Sequence, residues 1–346
     1  CIQAVRAGGG TVLSNFLYAF HAIAPILILV LIGWLLKTKH IFDSDFFKKL
    51  NKFAFHICFP PLMFCNLYAL DDITQIDMKF AGYAIMTVVL LTVLAFILSQ
   101  FLTSEKKRRG VMIQAGFRSN FAIIGIPLAA GMAGESGTMV TTMLQAPTIV
   151  YFNVISVLVL SIYSDSGTFN IKKVLKNLIK NPLIQGLAAG VIALLVRHNM
   201  PMNADHTYIF TISGNLPWLY TVLEYLGSAA TPLCLLALGG TFEFSAISGL
   251  RKELTAAVLM RLVIAPLVGF GLFYLAVRRG MFDLTPAMTA ALIALYGSPI
   301  AVSSNVMAQE MGADDVLAGQ IVVWTSLFSM VTLFIMIVLF RSAGLL

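Results

Sequence analysis

Charge is scarce in this sequence. Asp, Glu, Lys and Arg make up 11% of its 346 residues, against about a quarter in a soluble globular domain. Water therefore cannot be the solvent for most of its surface. Acids are rarest inside the apolar stretches: no Asp or Glu occupies the central part of one, and Glu224 and Glu310 lie nearer the ends. The cysteines form no CxxC pair, and Cys58, Cys65 and Cys234 sit in apolar runs where packing is their expected role. HExxH, GxSxG and Walker motifs are missing, which argues against an enzyme and against ATP-driven transport by this chain alone. No cofactor and no metal is expected.

What the chain has instead is apolar length: 59% of its residues are hydrophobic, and a lipid bilayer is the expected surroundings. Windows of about 20 apolar residues predict ten transmembrane helices. They lie near 15–36, 53–70, 79–102, 110–133, 137–163, 182–196, 216–242, 254–277, 285–310 and 315–340. Residues 1–13, which open with Cys1 and no methionine, are set aside as a fragmentary or uncertain start.

The net charge of +7 is spread over short loops, which orients a membrane protein and argues against a nucleic-acid partner. Lysines and arginines follow the first, third and fifth spans, whereas Asp71, Asp72, Asp77 and Glu135 follow the second and fourth. The positive-inside rule then places both termini outside the cytoplasm, in a multi-pass plasma-membrane protein. Arg278 and Arg279, and the acidic Asp314 and Asp315, fit this orientation poorly. Between the halves, Ile171, Val174, Leu175, Leu178 and Ile179 fall at helical spacing opposite lysines, as in a helix lying on the membrane surface or an ordinary linker.

The two halves share punctuation. Pro61 and Pro232 are 171 residues apart, Arg108 and Arg279 are 171 apart, and Pro127 and Pro299 are 172 apart. This offset predicts a repeat of residues 1–165 in residues 182–346, joined by a cytoplasmic linker at 166–181. An odd number of spans per repeat inverts the second copy, as in secondary transporters whose broken helices form the substrate site.

The broken helices here are the fourth and ninth. Gly125 and Pro127 interrupt the fourth near Asn120, with carbonyls around residues 122–124 expected to lose their partners. In the ninth, Ser298 and Pro299 precede Ser303, Ser304 and Asn305. Arg118 and Arg261 are cations inside apolar spans and so functional candidates, although a long side chain can also snorkel to an interface. Asn, Arg and helix N-termini without an acid favour an anion, with a carboxylate as the expected substrate. Pro61, Asn66, Gln145 and Pro232 are supporting candidates. Cys65, Asn153 and Thr231 are expected as helix–helix contacts more than as ligands, and His56 as packing more than as a proton carrier. Tyr296 either gates or packs.

Three stretches resemble the motifs of the auxin efflux carrier family, in its bacterial branch: RSNFAIIGIPLAAGMAGESG, ATPLCLLALGG and GSPIAVSSNVMAQEMGADD. The likeness runs through the whole chain. It implies an all-α membrane protein of ten transmembrane helices in two inverted five-helix repeats, a bile-acid symporter-like fold with elevator-like movement. It also implies that helices 4 and 9 cross at Pro127 and Pro299, that Asn120 contacts a substrate carboxylate, and that small acids such as malate or malonate are carried. The sequence departs from the plant members in having no acid and lysine early in the third span, FAGYAIMTVV, and no long cytoplasmic loop. Sodium-coupled symport and metabolite sensing without transport are the rival functions. A proton and a second copy of the chain, as a homodimer, stay open as partners.

Overall fold

The computed structural model describes residues 12–70, 77–164, 171–201 and 208–346. Asp71 and Asp72 of the acidic connection, Cys1, and residues 166–170 of the linker lie outside them. Among the described residues the regular structure is helical, with an isolated antiparallel β-bridge between Ser119 and Ile300.

In chain order the helices are α1 (Val12–Thr38), α2 (Ser44–Phe53), α3 (Phe59–Tyr68), α4 (Met78–Leu102), α5 (Lys106–Phe117), α6 (Phe121–Ser164), α7 (Ile171–Lys180) and α8 (Pro182–His198). They continue with α9 (Ile212–Asn215), α10 (Pro217–Thr241), α11 (Ile247–Leu259), α12 (Ala265–Arg278), α13 (Pro286–Gly297), α14 (Ser303–Glu310) and α15 (Asp315–Ser342). Single π-helical turns, Ala54–Cys58 and Met260–Ile264, join α2 to α3 and α11 to α12. By length and apolar composition five helices suffice to cross a membrane, and a sixth if α7 and α8, bent by 64°, count as one span. The structure thus establishes an all-helical, apolar bundle, whereas ten crossings in inverted halves require a membrane frame that helix length alone does not supply.

Local chemistry explains the starts. Asp43, Asp77, Asn181, Thr285 and Asp314 each turn a side-chain oxygen to a backbone N–H of the first turn of α2, α4, α8, α13 and α15, satisfying donors that the helix cannot. Pro182 and Pro286 follow such caps in the first turn, where a missing N–H does no harm. Within α6 the helical angles fail at Ala133 and Gly134, and Gly134, at φ 62° and ψ −142°, adopts a conformation that glycine alone takes readily. That turn falls between the fourth and fifth sequence spans.

Helices cluster at both ends of the bundle. At one end Arg108 donates to Glu253 at 3.0 Å and to Asp314 at 3.1 Å, joining the start of α5 to the middle of α11 and the start of α15. Asp314, an acid in a loop expected to be basic, is thus balanced by a base from another loop. At the other end Arg197 donates to the carbonyls of Tyr68 and Leu70, and the Ile212 N–H donates to the Tyr68 hydroxyl. Phe80, Tyr83, Phe273 and Phe282 pack edge-on or tilted against one another at this end as well.

Small residues set the spacing between helices. A side chain added at Gly33 of α1 would meet the Leu236 carbonyl of α10, and one at Gly239 of α10 would meet the Val30 carbonyl of α1. The two backbones touch, as small residues allow between helices in lipid. Outward-facing Phe101, Trp218 and Leu267 leave a strongly apolar exterior suited to acyl chains. Gly239→Val should lower stability by about 1–3 kcal/mol through overpacking. Thermal unfolding of the detergent-purified protein measures it, and an unchanged midpoint would show that the α1–α10 seam can yield.

Candidate functional site

Proline makes the first of two interruptions. The residue before a proline is driven out of the helical region, and Ser298, at φ −63° and ψ 146°, ends α13 ahead of Pro299. Helix resumes at Ser303. The partner interruption is at Arg118–Asn120, between α5 and α6, with Arg118 also extended. It carries no proline. Pro127 lies inside α6, so the expected break at Pro127, and the crossing expected there, are corrected by the structure. The paired breaks, centred on Ser119 and Ile300, are 181 residues apart and not 172. The Pro127–Pro299 spacing therefore did not mark them.

The two interruptions meet. Ser119 and Ile300 form an antiparallel bridge in which the Asn120 N–H donates to the Pro299 carbonyl at 2.8 Å and the Ala301 N–H donates to the Arg118 carbonyl at 3.4 Å. Each break supplies what the other lost. The Asn120 carbonyl accepts from Ile123 and Ile124, so Asn120 opens α6 in the cap position.

Arg261 holds the other side of the crossing. Its guanidinium donates to the carbonyls of Leu295, Tyr296 and Ser298 at 2.8–3.1 Å and to that of Phe117 at 3.4 Å. These are the C-terminal ends of α13 and α5, where carbonyls lack helical partners and carry negative charge. Arg261 is 1% exposed and does not line the cavity; it joins two helix ends beside it.

On the opposite face the starts of α6 and α14 border a small, partly open cavity of about 40 Å³. Its polar wall is Asn66, Arg118, Ser119, Asn120, Asn153, Thr231 and Ser303, and no acid lines it. Arg118 donates through Nη1 to the Phe152 carbonyl and the Ser156 hydroxyl, and through Nη2 to Asn153 Oδ1 and Ser303 Oγ, at 2.8–3.0 Å. Four neutral acceptors and no carboxylate hold it. Three buried groups of the wall remain without a partner: Arg118 Nε, Ser119 Oγ and Asn120 Nδ2. Buried polar groups without a partner are costly, and these three belong to residues of one cavity wall.

The remaining candidates separate into neighbours and bystanders. Leu62 and Thr231, beside Pro61 and Pro232, bring those two prolines next to the cavity. Gln145 braces the first turn of α6 by donating to the Phe121 carbonyl at 3.0 Å, and Gly125 packs on the Phe121 ring. Ser298 bonds back to the Ala294 carbonyl at 2.5 Å, away from the cavity. Ser304 and Asn305 are buried and absent from its lining, with Asn305 beside Gly319 of α15. Tyr296 is buried against Gly269, and Cys65 and His56 are also absent from the lining. Sequence reasoning missed Ser119 and Ser156. Ser119 stood between two named residues, whereas Ser156 carried no signal. A second, mainly apolar groove, with about 690 Å³ of empty space, lies beside α8, and its Arg197 is already bonded to Tyr68 and Leu70.

Interrupted helices that meet beside a polar cavity, inside a bundle with an apolar exterior, are features of membrane transport proteins. The chain belongs to the family described as membrane transport protein, whose model matches residues 18–337, and so to the auxin efflux carrier family that its motifs resemble. A relative from Methanothermobacter thermautotrophicus, named as an uncharacterized transporter, is 24% identical over 319 residues, which cover 92% of this chain and 97% of the relative. Another so named, from Methanocaldococcus jannaschii, is 26% identical over 263 residues, covering 74% and 79%.

Arg261→Met should leave the carbonyls at both helix ends unpaired, at about 1–3 kcal/mol for each one buried. A large drop in the thermal midpoint is expected, with Arg261→Lys intermediate. Equal midpoints for the unaltered protein and Arg261→Met would show that Arg261 does not brace the crossing.

Proposed function

We propose that this protein is a secondary transporter of small organic anions, carboxylates such as malate or malonate, in the cell membrane. The observation that carries the proposal is the set of unpaired buried donors, Arg118 Nε, Ser119 Oγ and Asn120 Nδ2, on a cavity wall without an acid. A carboxylate offers the acceptors these groups lack, and hydrogen bonds to a charged group are the stronger kind.

Charge balance supports the same substrate class. Each helix end carries roughly half a unit of charge, so the C-termini of α5 and α13 offset Arg261, while Arg118 and the N-termini of α6 and α14 leave about +2 facing the cavity. A dianion matches that balance better than a monoanion. A sodium ion would meet donors where it needs oxygen acceptors.

Ten crossings in two inverted five-helix halves agree with the clustering of connections, and the loop charges favour both termini outside the cytoplasm. The links preceding α5, α11 and α15 share one end, and those following α3, α8 and α12 share the other. Movement of the crossing helices against α1, α3, α8 and α10 would give elevator-like alternating access. The cavity wall draws on both groups, with Asn66 and Thr231 from the second.

Proteoliposomes containing the protein should take up labelled malonate or malate, and more strongly than the corresponding monoamides. Asn120→Ala should weaken binding about tenfold, near 1.4 kcal/mol, for the loss of a hydrogen bond to a charged group. Asn120→Asp, which sets a negative charge at the same place, should abolish it. Unchanged affinity in Asn120→Ala would sink the site, and no uptake of any small carboxylate would sink the function.

A further inference from the structure

The short helix α14 begins at the candidate site and ends at an ion pair. Ser303, its first residue, lines the cavity and accepts from Arg118. Glu310, its last, places a carboxylate oxygen 3.9 Å from His56 Nδ1. The Glu310 side chain is 15% exposed and that of His56 44% exposed. Beside them the Asn51 amide donates to Gln309 Oε1 at 2.6 Å.

His56 is in the π-helical turn Ala54–Cys58, a feature often found at functional sites. The residues that follow the turn, Phe59, Leu62, Met63 and Asn66, form one wall of the cavity. The pair therefore joins two elements, each of which contributes to the candidate site further along. Glu310 and Glu135 are the only carboxylates on α5, α6, α13 and α14, and Glu135 is exposed beside the Gly134 turn.

Other charges nearby are accounted for. Lys52, one turn before His56, presents its carbonyl to His56 Nδ1 at 3.0 Å and its ammonium is a further positive charge acting on Glu310. On α15, Asp314 is paired with Arg108, which also holds Glu253 of α11, and Asp315 feels Lys48 of α2.

We propose that Glu310, with His56, is the proton-binding site that couples anion transport to a proton gradient. The proposal rests on the transporter function above. As a carboxylate, Glu310 is drawn to the positive charge of Lys52 and, when its ring carries a proton, of His56, and the end of α14 is held to the α2–α3 element. Taking up one proton converts the carboxylate to a neutral carboxyl and ends that attraction. Release of α14 at one end, and rearrangement of the cavity at the other, then go with proton binding.

The experiment uses proteoliposomes and two assays on the same preparations. Exchange of labelled for unlabelled malonate without a gradient reports binding and movement. Accumulation under an imposed pH gradient reports coupling, with about tenfold accumulation per coupled proton for one pH unit. Glu310→Gln should exchange as the unaltered protein does and lose gradient-driven accumulation. His56→Gln should reduce the same accumulation. Full accumulation by Glu310→Gln would overturn the proposal, as would exchange without any gradient response in the unaltered protein. Should Glu310→Gln lose exchange too, His56→Gln decides by the same two assays. Absence of exchange of either malonate or malate in the unaltered protein would overturn the transport function first, and this proposal with it.

Discussion

A backbone amide or carbonyl inside an apolar bundle must find a partner within the protein, because neither lipid nor packed side chains can supply one. The crossing of this protein is organised by that constraint. Pro299 forces α13 to stop, and the groups exposed there are met by a second stretch, Arg118–Asn120, whose own helix stops to meet them. Neither interruption is stable alone. Their pairing fixes where α6 and α14 begin, and so which residues stand around the cavity.

Two arginines then divide the charge of the crossing. Arg261 gathers carbonyls from the ends of α5 and α13, and Arg118 reaches from the bridge to α6 and to the start of α14. Both are buried without a carboxylate among the described residues, a situation costly in hydrocarbon unless helix ends and neutral acceptors compensate. One cation is consumed by backbone. The other keeps Nε without a partner beside Ser119 and Asn120, and on this the proposed preference for an anion rests.

Much of the helical layout was legible because its signals are local. Runs of about 20 apolar residues show in the sequence by themselves, and the structure adds the caps at Asp77, Asn181, Thr285 and Asp314 and the turn at Gly134. The ninth break was legible for the same reason, since Ser298–Pro299 is its own cause. The fourth was not: its cause lies in Pro299, far along the chain, and Pro127 in α6 drew attention to the wrong turn. Arg261 was noticed for being charged in an apolar run, but which carbonyls it reaches depends on how α5 and α13 converge. Asn66 read as a supporting candidate and Thr231 as a helix–helix contact, each on its own. Their convergence with Asn120 appears only once α3 and α10 are set against the crossing.

The bridge at Ser119 and Ile300 uses main-chain atoms alone. Any side chain but proline at positions 120 and 301 would leave its two hydrogen bonds intact, since only proline lacks the donor. The intersection of the helices is thus written in main-chain atoms, and the wall of the cavity in side chains of the same residues. A lineage could exchange the groups that face the cavity while the intersection of the two helices stayed as it was.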